Sequence, residues 1–321
     1  MISKHSTFTN GKVPAVNGYT LDFQVLNAFT DRTFGGNPAA IVFLKGMLPD
    51  DTLEKIKDNF SQPIVVYVSP PSDLVTAKPG IAAFGLRWYG PWGEVHICGH
   101  GTLAASEAIF RTLSPTKGIT SLEFETLSGT MTAQRVDQKI SMELPAGTSI
   151  PASPEEARVV SDVFSRALGK PNVKIRYAGF GGPGFANYLL VEVDVTEELA
   201  NWRPKVEHFR EFEPRTQILV VTSASRQPGV SYETRMFAPS IGVPEDHVCG
   251  SAHCLNAPYW ATKRDYEDGQ VQHAKAVSVR GGDIWSAYFE GVGGEPGRVQ
   301  MTGSVKLTAS GRLDLSEVVV S

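Results

Sequence analysis

Short apolar runs bounded by turn-forming residues recur along most of the chain, and this pattern predicts a sheet-rich protein. Turn residues concentrate between the runs, as in the Gly-Gly-Asn-Pro segment at 35–38. The pattern predicts strands at 23–28, 39–43, 64–68, 81–88, 121–125, 130–134, 140–143, 173–178, 186–193, 217–222, 232–238, 276–280, 287–290, 298–302 and 305–308.

Fewer segments carry the start and stop signals of helices. Ser153 is followed three residues later by Glu156, which forms a capping box, and the helix behind it is expected to end near Gly169. Two further helices, at 99–112 and 251–263, are predicted to begin directly after strands, within turns of small residues.

The two helices that follow strands begin in similar sequences. Residues 94–105 and 245–255 both contain an acidic residue, a β-branched residue, a Cys-Gly pair and then small residues that open a helix. The two segments lie about 150 residues apart, close to half of the chain length. Two similar halves of this kind would place Cys98 and Cys249 on opposite sides of a cleft.

A cysteine at a helix N-terminus lies at the positive end of the helix dipole, among free backbone N–H groups. This environment is expected to lower the pKa of the thiol, so that one of Cys98 and Cys249 is a thiolate and the other a thiol. Such a pair could remove a proton from one face of a carbon and return one to the other, without a cofactor. The N–H groups of the two helix starts would bind a carboxylate: Gly99, His100 and Gly101 in the first, Gly250, Ser251 and Ala252 in the second.

Other interpretations of these residues have less support. Free cysteines are often small buried hydrophobic residues, and Cys254, inside the second helix, is interpreted in this way. His96, Cys98 and His100 could ligate zinc from one face, but a fourth ligand is not visible. The G-x-G-x-x-G pattern at 179–184 precedes a strand-like run where a dinucleotide loop needs a helix. The sequence therefore predicts neither a metal nor a cofactor.

Composition limits the partners of the protein. A chain of 321 residues with 41% hydrophobic and 20% charged residues is typical of globular proteins, and its net charge of −4 argues against nucleic acid or an anionic membrane as the main partner. No window approaches the ~20 apolar residues that a membrane helix needs. Residues 1–20 are interpreted as a poorly ordered N-terminal extension without the apolar core of a secretory signal. Three cysteines suit a reducing compartment, which predicts a cytoplasmic location.

Several motifs together resemble the PhzF-like family of phenazine biosynthesis, a branch of the diaminopimelate epimerase fold. The resemblance runs from about residue 23 to residue 313. It rests on Ala28-Phe29-Thr30-Asp31-Arg32 with Gly36-Asn37-Pro38, on Cys98-Gly99-His100-Gly101-Thr102, on Arg235-Met236-Phe237-Ala238-Pro239 with Glu245-Asp246, on Gly250-Ser251-Ala252-His253, and on Ser278-Val279-Arg280-Gly281-Gly282.

The resemblance implies an α/β (α+β) fold of two pseudo-symmetric domains, each a barrel-like sheet around a central helix, with the active site in the cleft between them. It divides the chain into a first domain at 21–128 and a second at 129–304. A terminal strand at 305–315 would return to the first domain. The resemblance alone also suggests a homodimer.

The sequence departs from the family at two informative places. Gln62 stands where PhzF-type isomerases carry a proton-shuttling Glu, and an amide cannot accept a proton at neutral pH. Cys98 and Cys249 stand where the family commonly has Ala or Cys and Thr, respectively. This pair resembles the paired thiols of diaminopimelate epimerase and proline racemase.

These observations predict a racemase or epimerase, independent of pyridoxal phosphate, that acts on a small carboxylate such as an amino acid. Cys98 and Cys249 would be the catalytic residues. The residues predicted to contact the substrate are Asn37, Gln62, Gly99, His100, Gly101, Asp246, Gly250, Ser251 and Ala252. One alternative is a PhzF-like isomerase or cyclase of secondary metabolism that uses His100 or Asp246 as its acid or base. Another is a catalytically silent ligand-binding protein.

Overall fold

The computed structural model describes residues 19–71, 79–113 and 118–315, so most of the predicted N-terminal extension lies outside the described residues. The described residues form four α-helices and eighteen strands. The helices are α1 (Asp50–Phe60), α2 (Gly99–Thr112), α3 (Pro154–Leu168) and α4 (His253–Arg264).

The strands occupy most of the chain between the helices. They are β1 (Thr20–Ala28), β2 (Asn37–Phe43), β3 (Val65–Ser69), β4 (Ile81–Gly90), β5 (Gly93–Val95), β6 (Ser121–Thr126), β7 (Gly129–Val136), β8 (Lys139–Pro145), β9 (Ser149–Pro151), β10 (Ile175–Gly181), β11 (Tyr188–Val193), β12 (Ile218–Ala224), β13 (Tyr232–Ala238), β14 (Val243–Asp246), β15 (Val271–Ala276), β16 (Gly282–Phe289), β17 (Arg298–Gly303) and β18 (Val305–Asp314).

Strand pairing divides the sheet into two runs. The first run is β18-β1-β2-β3-β4-β6-β7-β8. The second is β17-β16-β15-β13-β12-β11-β10-β9. The two runs meet where β8 pairs antiparallel with β17. The terminal strand β18 pairs with β1, so the end of the chain returns to the first run.

One buried helix packs inside each run. Helix α2 lies against strands of the first run, and α4 lies against β16 and β17 of the second. Residues 99–110 of α2 are all buried, and many are small, including Ala104, Ala105 and Ala108. A helix that is buried on every side belongs inside a core, and its small side chains let the surrounding strands come close.

The outer helices are amphipathic and cover smaller apolar clusters. In α3, Val160, Val163, Phe164 and Ala167 form one buried face at helical spacing. The predicted capping box at the start of α3 is present, and Gly169 ends the helix in the left-handed conformation. Both signals of the sequence are confirmed.

Several predicted elements differ from the structure in their bounds, including the strand predicted at 287–290, which covers only the end of β16 (Gly282–Phe289). Two differences lie near the candidate site. The strand predicted at 276–280 is wrong, because β15 ends at Ala276 and the following residues form a loop that binds neighbouring loops through Ser278 and Arg280. Helix α4 begins at His253 rather than at residue 251. The N–H of His253 is bonded to the carbonyl of Gly250, which makes 250–252 a turn before the helix.

The domain assignment at 21–128 and 129–304 stays a prediction. The proposed boundary falls within the hairpin of β6 and β7, and β7 and β8 continue the first run around α2. No helix among the described residues is long and apolar enough to cross a membrane. The predicted homodimer and cytoplasmic location also stay predictions.

The loop before β2 is closely packed at Gly36, and a substitution there can measure how much this packing contributes to stability. Gly36 has a φ of +67°, and a Cβ there would lie 2.2 Å from the carbonyl oxygen of Ala28. We expect Gly36→Ala to lower the free energy of unfolding by about 3 kcal/mol, because the clash adds to the unfavourable backbone conformation. Gly184 is the matched control, since its φ is +80° but a Cβ there would meet open space.

Gly184→Ala should lower the free energy of unfolding by only about 1 kcal/mol, because the unfavourable backbone conformation is its only cost. Denaturant unfolding of both variants measures the difference. Equal losses in the two variants would contradict the close packing at Gly36.

Candidate active site

The two Cys-Gly turns lie against each other. Cys98 is the N-cap of α2, and Cys249 precedes the turn that leads into α4. A Cβ placed on Gly99 would lie 3.5 Å from the Cα of Gly250, and one placed on Gly250 would lie 3.4 Å from the Cα of Gly99. The structure therefore brings together the two motifs that lie about 150 residues apart in the sequence.

Backbone and side-chain groups of the first turn surround the thiol of Cys98. The backbone N–H groups of Gly101 and His100 point at the sulfur, and His100 Nδ1 lies 3.4 Å from it. Gly101 leaves room for this arrangement, since a Cβ there would lie 3.2 Å from the sulfur and 3.0 Å from Trp88. Burial nevertheless raises the pKa of Cys98 to about 12, and the charge of Asp246 adds to that rise.

The second thiol has a similar environment. Cys249 is buried, with 8% of its surface exposed, and its sulfur lies 3.3 Å from the hydroxyl of Ser251. The backbone N–H of Ala252 also points at the sulfur. Burial raises the pKa of the Cys249 thiol well above its ordinary value, and Asp246 raises it further.

The pKa shifts run opposite to the direction expected from the sequence. The helix starts do supply N–H groups that lower the pKa of each thiol, but the loss of water around the sulfurs outweighs them. Both shifts therefore favour the neutral thiol at pH 7. The expectation of a lowered thiol pKa is wrong.

Asp246 connects the two turns. This residue ends β14, and its carboxylate acts on the pKa of both Cys98 and Cys249. The side-chain amide of Asn37 donates hydrogen bonds to Asp246 Oδ1 at 2.5 Å and to the carbonyl of Val248 at 3.1 Å. Because both N–H hydrogens of Asn37 have acceptors within the protein, Asn37 positions Asp246 and has no side-chain N–H left for a substrate carboxylate.

His100 carries an unused nitrogen into the site. Its side chain is buried, with 8% exposed, and burial lowers its pKa, which favours the neutral imidazole. Nδ1 faces the sulfur of Cys98, and Nε2 is buried without a hydrogen-bond partner among the described residues. A neutral imidazole with one free nitrogen can donate to or accept from a bound molecule.

Gln62 lies at the same edge of the sheet as Asn37. Strands β2 and β3 are parallel with Ala40 opposite Val65, so Asn37 and Gln62 each lie three residues before a paired position. The side chain of Gln62 is half-buried and donates to the carbonyl of Phe60 at 3.4 Å. This placement leaves its substrate contact a prediction.

Sequence reasoning missed two residues that shape the site. The hydroxyl of Tyr188 donates to Ser251 Oγ at 2.8 Å, and Ser251 in turn faces the sulfur of Cys249. The terminal methyl of Met301 would lie within 3.6 Å of a Cβ at either Gly99 or Gly250, so it packs beneath both turns. Both residues belong to ordinary apolar strands, and no local pattern separates them from core residues.

The site contains thiols, an imidazole and one carboxylate in a small space. Within the described ranges, no group of three or more His, Cys, Asp and Glu side chains is arranged to hold a metal ion. Among the described hydrogen bonds, the backbone N–H groups of Gly250 and Ser251 have no acceptor. Unused N–H groups at a turn before a helix are suited to a carboxylate.

Comparison with known proteins identifies the family. The profile of the phenazine biosynthesis-like protein family, PhzC-PhzF, matches residues 26–311, and the chain belongs to this family. An uncharacterized isomerase of Pseudomonas aeruginosa is 31% identical over 296 residues, which cover 92% of this chain and 99% of that protein. The family resemblance drawn from the sequence is confirmed.

Solved structures support the fold class. The PhzF-family phenazine biosynthesis protein of Enterococcus faecalis is 26% identical, with a TM-score of 0.74 over 92% of this chain and 99% of that chain. A hydroxyproline epimerase from Agrobacterium vitis, solved with trans-4-hydroxy-L-proline, is 11% identical, with a TM-score of 0.62 over 94% of each chain. The predicted epimerase-like fold of two pseudo-symmetric halves is confirmed.

The raised thiol pKa can be measured by alkylation. In a Cys249→Ala/Cys254→Ala double variant only Cys98 can react. We expect its rate constant with iodoacetamide to rise about tenfold per pH unit between pH 7 and 9, because the reactive thiolate fraction grows tenfold per unit below the pKa. Mass spectrometry of the modified chain gives the rate.

N-acetylcysteine in the same buffers is the control, and its rate should begin to level off near its ordinary pKa of about 8.5. A rate for Cys98 that is already level below pH 8 would show a thiolate at neutral pH. That result would contradict the dominance of burial over the helix N-terminus.

Proposed function

We propose that the protein is a cofactor-independent racemase or epimerase that inverts a carbon bonded to a carboxylate, on an amino acid or a related acid. The contact between the turns of Cys98 and Cys249 carries the proposal, since two-sided proton transfer needs two groups that converge on one carbon. The family contains a relative named as an isomerase, and an epimerase with a bound amino acid shares the fold. Both support an isomerase-type activity.

The substrate carboxylate binds at the two helix starts in this proposal. The N–H groups of Gly250 and Ser251 are the first candidates, because the other turn directs the N–H groups of His100 and Gly101 at a sulfur. The carboxylate then lies between the two turns, with its α-carbon facing both thiols. Asn37 contributes through Asp246, which it holds in place.

The proton transfer balances without an external reagent. The thiolate of one cysteine takes the α-proton, the C–H bond breaks, and its electron pair is delocalised into the carboxylate. The S–H of the other cysteine then gives its proton to the opposite face of the carbon. Each turnover leaves the two cysteines with exchanged protonation states, ready for the reverse direction.

Burial affects this chemistry in two opposing ways. A raised pKa lowers the population of thiolate at pH 7, yet it makes each thiolate a stronger base toward a weakly acidic C–H bond. His100 Nδ1 lies 3.4 Å from the sulfur of Cys98, but burial lowers the pKa of His100 while it raises that of Cys98, so transfer of the thiol proton to the neutral imidazole is unfavourable. His100 therefore serves this candidate mechanism as a hydrogen-bonding partner of Cys98.

A second candidate function has its own support. In a PhzF-like isomerase or cyclase, His100 or Asp246 would move the proton and the thiols would only line the site. The buried, unpartnered Nε2 of His100 and the raised pKa of both thiols favour this alternative. It differs from the first in needing only one of Cys98 and Cys249, or neither.

Single substitutions separate the two candidates. We expect Cys98→Ala and Cys249→Ala each to lower the rate of epimerisation about 10²–10⁴-fold, because each removes one acid or base. Cys254→Ala is the control, since Cys254 is buried in α4. Its backbone carbonyl accepts a hydrogen bond from the N–H of Gly147, and the substitution keeps this bond. Chiral chromatography of a panel of amino acids, including 4-hydroxyproline, measures the rate.

Full activity of Cys249→Ala on a substrate that the parent protein isomerises would contradict the two-thiol proposal. In that case His100→Gln should remove the activity, which would assign the reaction to the second candidate. Thermal unfolding of each variant distinguishes a loss of chemistry from a loss of the fold.

A further inference from the structure

A cavity of about 690 Å³ lies on the opposite face of β13 and β14 from the two cysteines. Successive residues of a strand point to opposite faces, so Asp246 faces the thiols while Glu245 faces the cavity. Likewise, Met236 packs in the same core cluster as Cys249, whereas Phe237 lines the cavity. The cavity is therefore separate from the candidate active site.

Positive charge dominates the cavity wall. Five cationic side chains line it, and Glu245 is its one acidic side chain among the described residues. Glu245 accepts two hydrogen bonds from Arg235, of 2.7 and 2.8 Å. The opposite charges of these two residues neutralise each other. The four remaining cations are Arg32, Arg203, Lys275 and Arg280.

These four cations are held by neutral groups. Arg203 donates to the carbonyl of Trp202 at 2.8 Å, and Lys275 donates to the side-chain carbonyl of Gln227 at 3.1 Å. Arg280 donates to the carbonyls of two glycines in the loop before β2, at 2.8 and 3.1 Å. Among the described residues no carboxylate forms a salt bridge with any of the four, although Lys275 is the cross-strand neighbour of Glu233 and Asp283. The wall therefore carries an excess of positive charge.

The four cations differ in exposure, since Arg32 and Arg203 are exposed whereas Lys275 and Arg280 are partly buried. Partial burial lowers the pKa of Arg280, and desolvation is the only cause of that shift. Between the cations the wall is apolar and aromatic, formed in part by Trp202, Pro204, Phe237 and Val277. Charged groups around an apolar floor, in a cavity of this size, fit an organic anion better than an inorganic ion.

We propose that this cavity binds a small organic molecule with two or more negative charges, either a phosphate ester or a polycarboxylate. The planar guanidinium groups of arginine form paired hydrogen bonds with both kinds of anion. The proposal does not depend on the reaction at the cysteines.

The cavity also adjoins the loops that form the active site. Arg280 holds the carbonyls of Gly35 and Gly36, directly before Asn37. Ser278 Oγ, on the same wall, donates to the carbonyl of His247 at 2.7 Å, next to Asp246. A bound anion would contact the segments that fix the Asn37–Asp246 hydrogen bond.

Isothermal titration calorimetry of the full chain at constant ionic strength tests the proposal. ADP represents phosphate esters, citrate represents polycarboxylates, and adenosine is the neutral control. We expect saturable binding of ADP or citrate, with one molecule per chain, and none of adenosine. Binding of ADP alone assigns the phosphate class, and binding of citrate alone assigns the carboxylate class.

The site is located by removing two charges that have no role in the active site. Arg203→Gln/Lys275→Gln should weaken binding about a hundredfold or more, because each charged hydrogen bond contributes about 1.5–3 kcal/mol. Lys306→Gln/Arg312→Gln is the matched control, since it removes one lysine and one arginine from β18, away from the cavity.

Equal weakening in the two double variants would show nonspecific attraction and overturn the site. Absence of saturable binding for both anions up to millimolar concentration would overturn the proposal itself. Unfolding curves of both double variants confirm that the comparison is made between folded proteins.

Discussion

The contact between the backbones of Gly99 and Gly250 is the constraint on which the candidate site depends. It forms where two halves of one sheet join, and the joining strands β8 and β17 provide its support. Met301 of β17 packs beneath both turns, and Leu144 of β8 lies near Gly99. Neither half of the chain alone contains the site, because each supplies one thiol and one side of the support.

Desolvation at this junction raises the pKa of both thiols, of which Cys249 is buried and Cys98 is partly buried. Desolvation is the largest cause of both rises in pKa, and it outweighs the N–H groups that the helix starts direct at the sulfurs. Asp246 acts in the same direction as burial, because its negative charge lies near both sulfurs.

Asp246 and His100 have distinct roles beside the two thiols. Asp246 is fixed by Asn37, raises the basicity of both thiolates once they form, and ties the first loop of the chain to the second turn. His100 is neutral, lies against Cys98 and keeps one nitrogen unused.

Features that depend on neighbouring residues could be predicted from the sequence. The capping box at Ser153 and the bounds of α2 follow from local hydrogen bonding and small-residue patterns, and both are confirmed. The matched Cys-Gly motifs indicated two similar halves because an internal repeat is itself visible in one sequence.

Features that depend on residues far apart in the sequence could not be predicted in this way. The apolar run at 276–280 resembles a strand, yet Ser278 and Arg280 are held by loops far away in the sequence. The direction of the thiol pKa shifts depends on how much water the assembled halves exclude, which no local motif reports. Tyr188 is positioned against Ser251 only by the tertiary fold.

The central claim is that two groups act on opposite faces of one carbon, and deuterium incorporation tests it most directly. The reaction is started in D₂O with one enantiomer of a substrate that the protein epimerises, and both enantiomers are analysed by mass spectrometry at low conversion. Two thiols on opposite faces predict deuterium in the product enantiomer while the remaining substrate keeps its hydrogen. Deuterium appearing equally in substrate and product from the earliest times would indicate a single base that serves both faces, and would contradict the account.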